Sequence, residues 1–157
     1  MLGSAMTDAT ARATMLIRRP VNEVFNAFVD PSTLTKFWLE ASSGPLAAGA
    51  RVTWNFMVPG ATEVVTVTAF ERPEHIEFAW SDGVQVKLHF EARVGETTRV
   101  EVRVSGFAQK NQLEQAINAT EGFSIVLCDL KTLLETGRSA NLVRDKAELI
   151  TQQAQNA

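Results

Sequence analysis

Apolar positions recur at helical spacing over one long run, Asn111 to Glu135, where Leu113, Ala116, Ile117, Thr120, Phe123, Leu127, Leu130 and Leu134 share a broad face. A face that apolar predicts burial against a partner surface. The residues before it follow a different period. Val52, Trp54, Phe56 and Val58 alternate with Arg51, Thr53, Asn55 and Met57, and Pro59-Gly60 supplies a turn before the strand-like run Glu63 to Phe70. Pro73 breaks the next junction. Ile76, Phe78 and Trp80 then alternate up to Asp82-Gly83, the strongest short hairpin signal in the chain. Val84, Val86, Leu88, Phe90 and Ala92 face one way against Gln85, Lys87, His89, Glu91 and Arg93. After Gly95-Glu96 the pattern repeats, with Val100, Val102 and Val104 against Arg99, Glu101 and Arg103. A period of two sustained in this way predicts a sheet that is dry on one face only.

Upstream, Ala13, Met15 and Ile17 alternate with Arg12, Thr14 and Arg18, which predicts a strand over Ala11 to Arg18. Pro20 suits a first helical turn, and Val21, Val24, Phe25, Phe28 and Val29 follow at helical spacing. Asp30 before Pro31 caps a second short helix carrying Leu34, Phe37 and Trp38. Leu39 to Gly49, with Ser-Ser-Gly-Pro and Ala-Ala-Gly, has no period and reads as a loop, a candidate rim for a cleft. Gly137 is placed as a helix C-cap, and Ser139 to Gln153 forms a weakly amphipathic tail helix through Leu142, Val143, Lys146, Leu149 and Ile150. The expected fold is α+β: an antiparallel meander whose concave, dry side holds the long helix.

Composition narrows the class. A chain of 157 residues, 45% hydrophobic and 21% charged, fits one globular domain. We expect residues 11–137 to form it, residues 1–10 to be a tag or N-terminal tail with Met1 to Met6 an expression scar, and residues 138–157 to be a tail. A net charge of −3 without a basic block argues against nucleic acid, and no apolar run is long enough to span a membrane. One cysteine, Cys128, precludes an internal disulfide, and the first residues lack the features of a secretory signal, so the expected compartment is the cytoplasm.

Several residues in this order are familiar together: Pro20 to Val24 with Phe28 and Asp30-Pro31, Phe37-Trp38, Gly49, Arg72-Pro73 through Phe78 to Trp80, and Gly122-Phe123 with Leu127, Leu130-Lys131 and Leu134 to Gly137. Over Ala11 to Gly137 the chain resembles the branch of the START-like (SRPBCC) superfamily named after the activator of the heat-shock protein 90 ATPase. The resemblance implies a helix-grip (START/Bet v 1-like) fold, in which a curved antiparallel sheet wraps a long C-terminal helix and leaves a cavity for apolar ligands. Two features depart from that pattern. The family usually has Trp after the helix glycine, where this chain has Phe123, and the tail after Gly137 lies outside it.

The candidate ligand-binding residues are Trp38, Trp54, Phe56, Phe78, Trp80, Leu88, Phe90, Phe123 and Leu127, which fall on faces that meet between sheet and helix. Composition alone favours solid packing of these side chains; the resemblance favours a cavity, reached past the Leu39 to Gly49 loop. His75 and His89 lack a metal spacing and read as surface residues, and Cys128 reads as an inert thiol at the edge of the buried face. Glu91 and Glu101 point outward, while Glu114 and Asp129 lie on the helix side away from the core, so no acid/base pair emerges. Glu121 and Ser124 flank Gly122, either as polar groups toward a cavity or as solvated or locally bonded side chains. Gly122 costs about 1 kcal/mol in a helix interior, which a close approach to the sheet or to a ligand would explain. No catalytic residue, metal or cofactor is expected. The leading reading is a binding module for a small hydrophobic or aromatic ligand, ahead of a cyclase- or hydratase-like enzyme using the same cavity. A chaperone accessory is the third, disfavoured because the chain lacks the extra partner-binding domain of the eukaryotic activators. Finally, Ile125, Val126, Cys128 and Leu133 leave an apolar strip on the long helix that the sheet cannot reach. The tail stripe should cover it, across a homodimer twofold or by folding back in the same chain.

Overall fold

The structure, a computed structural model, describes residues 8–155; the reading of Met1 to Met6 falls outside them. Strand β1 (Ala11–Ile17) leads through two short helices of about two turns each, α1 (Val21–Ala27) and α2 (Pro31–Phe37), into strands β2 (Leu39–Ser42), β3 (Arg51–Phe56), β4 (Thr62–Glu71), β5 (His75–Ala79), β6 (Gln85–Arg93) and β7 (Thr97–Ser105). Helices α3 (Gln112–Thr136) and α4 (Leu142–Gln155) close the chain. The strands form one antiparallel sheet in the order β1-β7-β6-β5-β4-β3-β2. This is the expected helix-grip architecture: a curved sheet, a long C-terminal helix and two short helices after the first strand.

The local reasons are those of the residue pattern. Asp30 accepts the Ser32 backbone N–H at 2.9 Å ahead of Pro31, which caps α2. Gly137, at φ 78°, closes α3 by donating its N–H to the Leu133 carbonyl at 2.8 Å. Val86, Leu88 and Phe90 on β6 and Val100, Val102 and Val104 on β7 turn inward, register by register, and all are buried. Between Val67 and Ala69 the register of β4 against β5 shifts, as at a β-bulge. Helix α3 runs parallel to edge strand β1 and is tied to it at both ends. Gln112 Oε1 accepts the Ala9 N–H at 2.8 Å, Lys131 Nζ donates to the Leu16 carbonyl at 2.7 Å, and Glu135 accepts the Arg18 N–H at 2.8 Å. These side chains satisfy backbone groups beside an otherwise open sheet edge.

Three expectations need correction. Leu39 to Gly49 is not all loop: Leu39–Ser42 pairs with β3 as the far edge strand, and Leu46 is buried with its N–H on the Val29 carbonyl at 3.2 Å. Ala92 is exposed at the sheet end, where its partner Thr98 is buried instead and donates Oγ1–H to the Arg19 carbonyl at 2.8 Å. The buried face of α3 is rotated from the expected one. Leu113 and Ile117 stand 69% and 60% exposed, while Ala116, Phe123, Val126, Leu127, Asp129 and Leu130 are buried. The helix is clasped by α2 and α4 on one flank as well as by the sheet, so its burial follows two surfaces rather than one.

Candidate functional site

Alternation along β3 and β5 brings Trp54 and Phe78 to the same inner face, 5.4 Å apart between ring centroids. Trp54 also meets Trp38 at 4.9 Å, Trp80 at 5.9 Å and Phe56 at 6.4 Å, and Trp38, just past α2, meets Phe123 of α3 at 5.6 Å. Each of these pairs is edge-to-face, the arrangement the ring quadrupoles favour. Large rings packed at steep angles fill space unevenly, and beside this cluster lies a cavity of about 360 Å³, within the size range of small-molecule sites.

Four surfaces border the cavity, which opens to solvent. The sheet side contributes Phe56 and Trp80 with Met57, Val58 and Ala61 of the β3–β4 turn; Trp38 closes the α2 end. Helix α3 supplies Ala119, Gly122, Phe123, Ile125 and Val126, and α4 supplies Val143, Lys146, Ala147 and Ile150. Of the nine candidate residues, Trp38, Phe56, Trp80 and Phe123 therefore line it. Trp54, Phe78, Leu88, Phe90 and Leu127 are at most 2% exposed and form the solid core behind it; Phe90 packs on Phe25 and Phe28 beneath α1. The Trp54 indole N–H is buried without a hydrogen-bond partner among the described residues. The segment 39–49 lines none of the cavity, whose mouth lies beside the exposed Gly122 and Ile150. A Cβ at Gly122 would meet nothing within 4 Å. Gly122 borders the cavity, and the sheet does not approach it.

The lining residues that sequence reasoning missed come from the turn at 57–61 and from α4. For α4 the sequence does carry a signal, since the Val143 and Ile150 stripe complements the uncovered strip around Ile125, and the two meet within one chain. Helix α4 folds back on α3, with Ala147 buried, so the strip is not left for a twofold partner.

Asp129 is what fastens α4. Expected on the side of α3 away from the core, it is instead 1% exposed, because the tail covers it. Its carboxylate accepts the Val143 N–H at 3.0 Å and the Ser139 hydroxyl at 3.4 Å. Burial pushes the Asp129 pKa up, opposed by the N–H groups of Val143, Leu142 and Ala140 and by the Ser139 hydroxyl. Near the mouth, Lys146 Nζ of α4 lies 3.1 Å from Glu121 Oε1 of α3. Ser124 donates to the Thr120 carbonyl at 2.7 Å, a local bond within the helix. On the outer sheet face His75 pairs with Glu77 and sits opposite His89. There the hydrogen bond from Arg103 holds the Glu101 carboxyl below its usual range. Cys128 is exposed rather than at a buried edge. Among the described residues no group of three or more His, Cys, Asp and Glu side chains is placed to hold a metal, and no helix is long and apolar enough to cross a membrane.

Comparison with known proteins places these features. A family model described as "Activator of Hsp90 ATPase homolog 1-like protein" matches residues 18–135. Among solved structures, the chain is similar to protein SSP2350 from Staphylococcus saprophyticus, with a TM-score of 0.74 and 26% identity over 83% of this chain and 95% of that one. It is similar to DynU16 from the dynemicin biosynthetic locus, with a TM-score of 0.75 and 23% identity over 85% of this chain and 49% of that one. It is also similar to the Aha1 dimer from Colwellia psychrerythraea, with a TM-score of 0.74 and 17% identity over 83% of this chain and 99% of that one. No functionally curated protein matches the chain.

Proposed function

The chain belongs to the family of activator of Hsp90 ATPase homolog 1-like proteins, and from that membership and the cavity we propose that it is a cytoplasmic binding module for a small hydrophobic or aromatic molecule held between the sheet and the long helix. The observation that carries the reading is the make-up of the cavity wall. Trp38, Phe56, Trp80 and Phe123 present aromatic surface, and every other lining residue except Lys146 is apolar or glycine. Such a surface rewards an apolar guest by removing it from water. A wall with one charged group supports binding over the cyclase- or hydratase-like reading, which needs polar groups placed around a reacting centre. An exposed, unpaired Cys128 suits a reducing compartment. Native mass spectrometry of freshly purified protein tests the proposal, with an apolar molecule retained at one per chain as the expected result. Absence of a retained molecule, together with no binding of apolar fluorescent probes, rejects it.

We also propose that α4 takes part in a homodimer through the part of its stripe left uncovered, where Leu149 and Ile150 are 61% and 41% exposed. Light scattering on the full-length chain decides this: a monomer mass rejects it, and a dimer that survives Leu149→Glu moves the interface elsewhere.

A further inference from the structure

Lys146 is the one charged side chain among the described residues that line the cavity. It borders the cavity from α4, and its ammonium lies 3.1 Å from the exposed Glu121. That partner sits on α3 next to Gly122 but outside the lining, and its side chain is 57% exposed against 35% for Lys146. An exposed pair of this kind contributes little to stability, so Glu121 holds the ammonium only loosely and another carboxylate can replace it. A neutral hydrocarbon leaves the ammonium as it is. A guest with an apolar body and an anionic end fills the cavity and places its charge beside Lys146, where a charge-assisted hydrogen bond forms without the ligand's head group leaving water entirely.

We propose that the cavity selects amphipathic carboxylates, with the apolar body between α3, α4 and the sheet and the carboxylate paired with Lys146 at the mouth. This rests on the cavity being a ligand site, and it adds the chemical class of the ligand. It also gives α4 a role: the helix supplies both a wall and the charge that orients the guest. Glu121 then acts as a competing anion, an internal occupant that an entering carboxylate displaces.

The test uses the full chain with dodecanoate and dodecan-1-ol, equal in chain length and different in head-group charge, followed by calorimetry or by the fluorescence of Trp38 and Trp80 at low salt. At low salt dodecanoate is expected to bind about three- to fivefold more tightly than the alcohol, the scale of one partly exposed ion pair. Lys146→Gln should abolish that preference, bringing dodecanoate to the affinity of the alcohol in the same variant, whereas Glu121→Gln should strengthen dodecanoate only. Equal affinities in the wild type, or a preference that persists in Lys146→Gln, overturn the carboxylate assignment while alcohol binding upholds the cavity as a ligand site. If neither probe binds, both the assignment and the binding reading fall.

Discussion

The carboxylate of Asp129, on α3, accepts the backbone N–H of Val143, in the first turn of α4, at 3.0 Å. One buried acid thereby fixes where the last helix starts, and α4 in turn completes the cavity wall through Val143, Lys146, Ala147 and Ile150. Asp129→Asn removes the charge and turns an amide toward N–H donors. A loss of about 1 to 2 kcal/mol is expected in urea unfolding, comparable to losing a helix cap. Faster amide exchange across residues 142–155 should accompany it. Unchanged exchange there would mean that apolar contacts alone hold α4.

The pH dependence of stability should carry two opposite signs. Glu101 is held below its usual range first by the Arg103 hydrogen bond, and Glu23 by the one from Arg19. For Glu135, burial pushes upward but is outweighed by Lys131 and the Arg18 N–H. Their contributions are present above the ordinary glutamate pKa of about 4.3 and are lost as pH falls through the lower folded values. Asp129 is raised by burial, so its folded form holds the proton more tightly and its contribution is lost as pH rises through the folded value. Urea midpoints should therefore fall in acid. The penalty of Asp129→Asn should grow as pH drops from 7 toward about 3.9; a shrinking penalty would show that the hydrogen bonds outweigh burial.

Phe123 belongs both to core and to cavity. It is 8% exposed and edge-on to Trp38, yet it borders open space on one side. Full burial would make Phe123→Ala cost about 3 to 5 kcal/mol. Atoms facing a void already lack packing partners, so the expected loss is about 2 kcal/mol, with weaker binding of apolar probes. A loss above about 4 kcal/mol would indicate a solid site.

What was legible in the sequence was what a single buried surface imposes. The alternation on β6 and β7, the Asp30 cap and the Gly137 stop each follow from one local constraint. Features set by a second surface left a weaker trace. Ile117 and Val126 are equally apolar, and only the position of α4 decides that Val126 is buried and Ile117 is not. Asp129 carries no sequence mark because its partners are backbone N–H groups and a hydroxyl from residues ten or more positions on. Strand β2 is held by backbone bonds, with Ser43 continuing to the Thr53 carbonyl at 2.9 Å, in a stretch too short for a period to show. The site divides in the same way: of the nine candidates, Trp38, Phe56, Trp80 and Phe123 border the cavity and the other five fill the core.

Gly122 separates stability from binding. A glycine in mid-helix costs about 1 kcal/mol relative to alanine, and no atom within 4 Å obstructs a methyl group there. Gly122→Ala should raise stability by about 1 kcal/mol in urea unfolding. Gly122 borders the cavity, so apolar probes should bind less tightly if the added methyl group narrows it. A destabilised variant, or one more stable with full binding, would break the link between this glycine and the cavity.

Trp54 poses a sharper question, because its indole is fully buried while its N–H has no acceptor among the described residues. Two effects of Trp54→Phe oppose each other. The smaller ring leaves a void and loses contacts with Trp38, Phe78 and Trp80, a cost below the full aromatic-to-alanine loss. Removing a buried donor without a partner recovers a desolvation penalty of about 1 to 3 kcal/mol. The two should nearly cancel, giving a net loss under about 1 kcal/mol. Phe78→Leu in the same cluster removes no polar group and serves as the control, with an expected cost of about 1 to 2 kcal/mol. If Trp54→Phe proves the more damaging of the two in urea unfolding, the indole N–H is satisfied in solution, and the aromatic cluster behind the cavity contains a polar contact beyond the rings described here.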